Sequence, residues 1–404
     1  MLRTESVAGI GSAVAALNDV QHVCVSAIPR RGRGLAQQAE DALQSIADVI
    51  GSHGSHGSIV RQAVFVRDLA QVETCRQIIR DFYGDHLPAT SYIPQPPCEG
   101  KELAIEALGV AGPPGAVEIE RCCEQMVVTR HSGVTWVHAA NLFPEPTTAG
   151  VYARSLAAFE KLSQMLAKRN VRYSEVIRTW IYLGDIVGPE GATQRYKEMN
   201  RARTDFYRHF TFGQGRTPPG FTRPVFPAST GIGTDGKGVV VSCIALQTDR
   251  TDLTLVPLEN PQQTSAFDYQ QHYSPQSPKF ARAMAVAVGN SATIFISGTA
   301  SITNSESRFV GDVAGQTHLT LDNIAALIGA DNFRHHGVPS LGSTLDDLAL
   351  VRVYIKRQED YDRCRAVCEA RLGPRPIVYA VADVCRPELL VEIEGLAFSR
   401  ASAT

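Results

Sequence analysis

The sequence predicts an α+β protein built from three tandem copies of one unit, each a βαβ sandwich with helices packed on one face of its sheet. Three observations carry that expectation. A strand with arginine near its start recurs three times; a long helical pattern precedes each copy; and a shorter helix and a proline-led pair of strands follow it. A chain of 404 residues is also too long for one ordinary core, and about three domains suit its length.

In the first copy the marker reads Ile59-Val-Arg-Gln-Ala-Val-Phe-Val-Arg-Asp68, in the second Val176-Ile-Arg-Thr-Trp-Ile-Tyr-Leu-Gly-Asp185, and in the third Leu350-Val-Arg-Val-Tyr-Ile-Lys-Arg357. Arg61, Arg178 and Arg352 therefore occupy one repeat position. The preceding helices are expected at 35–50, 151–167 and 314–328, where apolar residues fall at helical spacing. In the third copy the shorter helix is expected around 360–371. The closing strands begin near Leu87-Pro-Ala-Thr-Ser, Phe226-Pro-Ala-Ser-Thr and Pro374-Arg-Pro-Ile-Val. Each unit thus reads β-β-α-β-α-β-β, and the units are placed at 1–112, 116–250 and 262–404. Leu108–Gly115 is a turn-rich linker, and Asp249–Ser277 a longer, polar, proline-punctuated one. The stretch Ser52–Ser58 is a loop tip carrying His53 and His56.

Composition narrows the function. Hydrophobic residues at 44% and charged residues at 20% describe a soluble globular protein. A formal net charge of −2 gives no electrostatic reason to bind nucleic acid or an anionic membrane. No apolar run approaches the ~20 residues that span a bilayer, and the first residues lack the apolar core of a signal peptide. Nine cysteines form no Cys-x-x-Cys pair and share no ligand spacing with the eleven histidines, so neither a metal site nor a disulfide framework is expected. A reducing cytoplasm is the matching setting. Neither a Gly-x-Gly-x-x-Gly turn nor a Walker loop occurs, and no cofactor is expected.

The most informative stretch is the last, from Pro374 through Val384-Cys-Arg-Pro-Glu-Leu-Leu-Val-Glu-Ile-Glu-Gly395. Cys385 and Glu392 are ionisable residues in or beside apolar, strand-forming sequence. Burial raises a carboxyl pKa and keeps a proton donor available near neutral pH. Glu392 and Glu394 also alternate as the solvent face of a half-buried strand would, and on pattern alone both placements stand.

The repeat resembles the Rid/YjgF (imine deaminase) unit, most clearly through Phe295-Ile-Ser-Gly-Thr299, Gly311-Asp-Val-Ala-Gly-Gln-Thr317 and Val391-Glu-Ile-Glu-Gly-Leu-Ala397. In that family three chains form a ring with pockets between neighbours. The resemblance implies an intramolecular pseudo-trimer here, either monomeric or a small homo-oligomer. The family's Pro-Ala-Arg is replaced by Pro88-Ala-Thr, Pro227-Ala-Ser and Pro374-Arg-Pro, and Ser242 stands where the second copy would carry the acid. One main pocket around the third copy is expected.

A narrower resemblance covers roughly residues 130–400. It runs through Leu258-Glu-Asn-Pro-Gln-Gln-Thr-Ser-Ala-Phe, Tyr273-Ser-Pro-Gln-Ser-Pro-Lys-Phe-Ala-Arg-Ala, Ser297-Gly-Thr-Ala-Ser-Ile302 and the Val384–Gly395 stretch. These resemble the chorismatases, which remove pyruvate from chorismate. That resemblance implies Glu392 as the acid that protonates the vinyl ether. It implies Gly298 and Cys385 as marks of the 3-hydroxybenzoate-forming type, the hydrolytic members carrying alanine in place of the glycine. Ser297 belongs to the same substrate-facing motif. Chorismate's two carboxylates call for cations, for which Arg178, Arg352 and Arg375 are candidates, with Tyr273 as a hydrogen-bond donor. Structural roles remain open beside these: strand-edge pairing for the arginines, packing for Tyr273, and a small buried apolar group for Cys385. Competing activities are hydrolysis of chorismate to a diol, Rid-type imine deamination, and non-catalytic binding of a small ligand.

Overall fold

Each unit builds one six-stranded sheet, and the three sheets share a single strand order. The computed structural model describes residues 2–18, 20–52, 58–213, 215–269 and 276–401. His53, His56 and Tyr273 lie outside the described residues. In spatial order the first sheet runs Arg3–Val7, Ile10–Leu17, Val20–Ala27, Leu103–Ala111, Ser58–Val66, Ala89–Pro94. The second runs Glu118–Cys123, Met126–His131, Val134–Leu142, Val239–Gln247, Val176–Gly184, Ala228–Thr234. The third runs Leu253–Leu258, Ala283–Val288, Ser291–Ala300, Val391–Arg400, Leu348–Ile355, Ile377–Val381. Only the last pair in each sheet is parallel, because a helix carries the chain across. The fold class is the expected one, three tandem units closing as an intramolecular pseudo-trimer.

The unit differs from expectation in one element: three strands, not two, precede the first helix. The extra strand is the outermost in each sheet. In the third unit it is Leu253–Leu258, inside the stretch expected as a linker, so that sheet begins ahead of residue 262. Similarly, Leu108–Ala111 ends a strand and does not belong to the turn. Long helices form at Gly34–Ser52, Val151–Ala167 and Val313–Ile328, the last started by Asp312, whose carboxylate accepts the Ala314 N–H at 3.2 Å.

The central strands of each sheet are buried on both faces. Its own helix pair covers the outer face in a separate apolar core, for example Leu43, Ile46 and Ile79 against Val25, Val64 and Ile105. The inner faces of all three sheets meet in one shared core containing Phe65, Trp180, Tyr354 and Phe295. Strands covered on both sides read as near-continuous apolar runs, which is why Val176–Gly184 and Leu348–Ile355 are buried throughout.

Three seams close the ring. Between units one and two, Ser91 and Ser242 hydroxyls lie 2.9 Å apart. Between two and three, the Ser229 N–H donates to Ser297 Oγ at 2.8 Å. Between three and one, the Cys98 N–H donates to Tyr379 O at 3.0 Å and the Val381 N–H to Pro96 O at 2.8 Å.

Candidate active site

The site lies at the seam of the second and third units, and a strand irregularity opens it. Strand Ser291–Ala300 pairs with Val391–Arg400, but the register slips between Ile296 and Thr299. Ser297 and Gly298 fall in that bulge and turn to the neighbouring unit instead. The Gly298 N–H donates to Thr230 Oγ1 at 2.9 Å, and Ser297 Oγ donates to Ala281 O at 2.6 Å while accepting from Ser229. Beneath this join is a cavity of about 390 Å³. Helix Arg195–Tyr207 contributes Arg203, the turn just ahead of strand Ala283–Val288 Arg282, the bulge Gly298, the last strand Glu392, and the loop before it Cys385.

Register explains why one carboxylate is special. Arg61, Arg178 and Arg352 pair across from Leu108, Ile244 and Glu394; two residues earlier stand Glu106, Ser242 and Glu392. These three are one repeat position with three fates. Ser242 is tied to Ser91 and to the Asn141 N–H. Glu106 is paired with Arg352. Glu392 has neither hydrogen bond nor ion pair to any described residue, and it faces the cavity while only 4% exposed.

Burial pushes the Glu392 carboxyl up to about 8, with the charge of Glu394 adding to the effect and Arg282 and Arg178 opposing it. On the same face of the same strand, Glu394 is held below the ordinary carboxylate range. Burial raises it too, but the guanidiniums of Arg352 and Arg178 outweigh that, helped by bonds from Thr230 and Trp180. Two carboxyls pushed apart in this way are an acid kept protonated and a permanent anion. The alternation read from the sequence is real, and the face it defines is the ring interior. Burial also pushes the half-buried Cys385 thiol up to about 12, with Glu392 contributing, so it stays a neutral thiol near pH 7.

Opposite the acid are two guanidiniums with no carboxylate in ion-pair reach among the described residues. Arg203, 1% exposed, donates to Asn200 Oδ1 and to Ser229 Oγ at 3.4 Å, and its Nε has no partner among the described residues. Arg282, 3% exposed, donates to Thr264 O at 3.0 Å and Tyr269 Oη at 2.6 Å, and its Nε is likewise unmatched. Glu259 sits behind Arg282 and accepts its backbone N–H at 3.3 Å.

The expected residues thus divide. Glu392, Cys385 and Gly298 come together around one cavity. Ser297 is spent on holding the seam. Arg178 and Arg352 are withdrawn to the ring centre: Arg178 pairs with Glu394 at 2.5 Å, and Arg352 pairs with Glu106 and with Glu394 at 3.0 Å. At their level along the central strands the repeat-position arginines meet around the axis with Glu106 and Glu394, one step along the strand from the seam cavity, which is why they do not reach the site. Arg375 donates to Leu345 O at 2.5 Å and Leu348 O at 3.0 Å near the opposite seam. Arg203 and Arg282 were not singled out in the sequence. Arg282 carried a signal, since it lies in the Lys-Phe-Ala-Arg-Ala stretch of the resemblance; Arg203 is one of three arginines on its helix, and only packing distinguishes it.

A family profile described as "Chorismatase FkbO/Hyg5-like, N-terminal" matches residues 115–245. A 3-hydroxybenzoate synthase of Streptomyces hygroscopicus is 34% identical over 277 residues, covering 65% of this chain and 76% of that protein. The chain belongs to the chorismatase family. A chorismatase of the same organism is 35% identical over 272 residues, with 66% and 74% covered. A solved chorismatase structure superposes with a TM-score of 0.63 at 25% identity, covering 84% of this chain and 93% of that one. That share is more than the second and third units contain, so the likeness extends into the first. Among the described residues no helix is long and apolar enough to cross a membrane.

Proposed function

We propose that this chorismatase-family chain releases pyruvate from chorismate and forms 3-hydroxybenzoate. The observation that carries the reading is Glu392: a buried carboxyl, protonated near neutral pH, without a partner among the described residues, lining one cavity with two guanidiniums that have no counter-ion among them.

The chemistry follows from those groups. Chorismate carries two carboxylates and a vinyl ether. Arg203 and Arg282 supply the matching charges, and each retains an unmatched donor for a carboxylate oxygen. A neutral Glu392 gives its proton to the terminal methylene carbon of the enol ether, and the electron pair of the C=C forms the new C–H bond. The resulting oxocarbenium ion sits beside the carboxylate that Glu392 has become. Loss of pyruvate then breaks the ring C–O bond. When the ring hydroxyl acts intramolecularly, pyruvate and hydroxybenzoate together contain all the atoms of chorismate, and no oxidant, metal or nucleotide enters the balance. Hydrolysis to the diol would consume one water. The aromatic product is favoured by Gly298 and Cys385, which the family resemblance implies as marks of the hydroxybenzoate-forming type, and by the similarity to a 3-hydroxybenzoate synthase. The neutral Cys385 thiol is placed to hydrogen-bond or relay a proton beside Glu392.

Closure of the ring within one chain supports a monomer, to be checked by light scattering. Nine unpaired thiols support residence in a reducing cytoplasm.

The test is chromatography with mass detection on purified protein incubated with chorismate, beside Glu392→Gln. Pyruvate and 3-hydroxybenzoate from the parent, and neither from the variant, are the expected result. A diol as the sole ring product overturns the assigned product; unimpaired turnover by the variant overturns the assigned acid.

A further inference from the structure

The ring axis holds a buried charge cluster that the proposed reaction does not use. Arg61, Arg178 and Arg352 meet there from the three units, each 1–4% exposed, with Glu106 and Glu394 as the carboxylates. Glu394 accepts from Arg178 at 2.5 Å, Trp180 Nε1 at 2.9 Å, Tyr354 Oη at 3.1 Å and Thr230, and forms an ion pair with Arg352 at 3.0 Å. Glu106 pairs with Arg352. Three guanidiniums against two carboxylates leave one positive charge over.

That surplus has an address. The Arg61 guanidinium lies over the Trp180 ring at 3.7 Å, with Nη1 4.0 Å from Glu106 Oε1, beyond hydrogen-bond reach. Its Nε and Nη2 are buried and have no partner among the described residues. Beside it is a cavity of about 40 Å³ lined by all three arginines, both carboxylates and Trp180. His22, His131 and His138 pack in the neighbouring layer, but burial lowers each to about 3 or 4, so they are neutral and add no charge.

We propose that the ring axis binds one small monovalent inorganic anion of halide size, held by Arg61 and flanked by Arg178 and Arg352. Arginine does not shed its proton at pH 7 to escape burial, and an unpaired buried charge is strongly unfavourable. The cavity exceeds the ~10–15 Å³ a single water needs, yet it is far below the volume of the substrate cavity. Glu106 Oε2 also lacks a donor; a water can supply one, but a water cannot cancel the surplus charge. The anion would therefore be a structural part of the ring, locking three units that otherwise repel at their centre.

The test uses the full chain, unfolded in urea and refolded at equal ionic strength in sodium chloride, sodium bromide or sodium gluconate, gluconate being too large to enter. A ligand that binds only the folded state raises its melting temperature with dose. Chloride and bromide are expected to raise it by several degrees over gluconate, saturably, and bromide-grown crystals to show an anomalous peak beside Arg61. Arg61→Met is expected to abolish the halide dependence. Should that variant fail to fold, the bromide map of the parent decides alone. Equal melting in all three salts, or water without an anomalous peak at the axis, overturns the proposal.

Discussion

Gly298→Ala puts one methyl group against the proposed acid. A Cβ at position 298 would stand 2.0 Å from Glu392 Oε1, 2.8 Å from its Cδ and 3.2 Å from Thr230 Cγ2. Ordinary carbon contacts begin near 3.5 Å, so the carboxyl end must retreat by about 1.5 Å. No hydrogen bond from a described residue anchors it, whereas the Gly298 backbone is fixed by Thr230. The backbone angle at Gly298 is not left-handed, so alanine adds no strain there. Fold stability should change by only about 1 kcal/mol, the low end for overpacking. Rate should change far more, since a 1 Å misplacement at the chemistry costs on the order of 10²-fold, or about 2.7 kcal/mol on the barrier. The assay is pyruvate release followed continuously, with the ring products separated chromatographically. We expect kcat to fall about 10²-fold, a melting curve close to the parent's, and a larger share of diol. Unchanged kcat with 3-hydroxybenzoate as the sole ring product would refute the placement of the acid.

Three further outcomes are expected. Because Glu392 is raised to about 8 and acts as an acid, kcat should be level near neutrality and fall tenfold per pH unit above about 8. The folded state holds this proton more tightly than the unfolded chain, so the group's contribution turns against folding as pH climbs from ~4.3 towards about 8; pH-dependent urea melts of Glu392→Gln should lack that loss. Arg203→Met should raise KM and lower kcat/KM by about 10²-fold, the worth of a charge-assisted carboxylate contact, and Arg203→Lys should recover only part because it loses the fork geometry; steady-state kinetics checks both. Arg352→Met should remove the guanidinium paired with Glu106 and one of the two paired with Glu394, and cost about 3–5 kcal/mol in a urea titration.

Much of this was legible in the chain. The helix at Val151–Ala167 and the strand at Val176–Gly184 follow from periodicity and apolar runs, which are local properties. The internal repeat predicted the three units, since similar sequence makes similar sheets. The outermost strands were missed because Arg3–Val7 is largely exposed, Glu118–Cys123 is half-buried, and both carry little apolar pattern. Leu253–Leu258 was masked by its polar surroundings.

What the sequence determined alone is the fold of each unit and the identity of Glu392, Gly298 and Cys385 as residues worth watching, because all three sit within one unit's own strands and loops. What only the tertiary structure decided is which cations face them. Arg178 and Arg352 looked equivalent to any substrate-binding arginine until ring closure turned their strand face to the axis, and Arg203 is contributed by a different unit from Glu392. A seam between units has no sequence signature of its own, since its two sides are coded far apart and only packing brings them within a few ångströms.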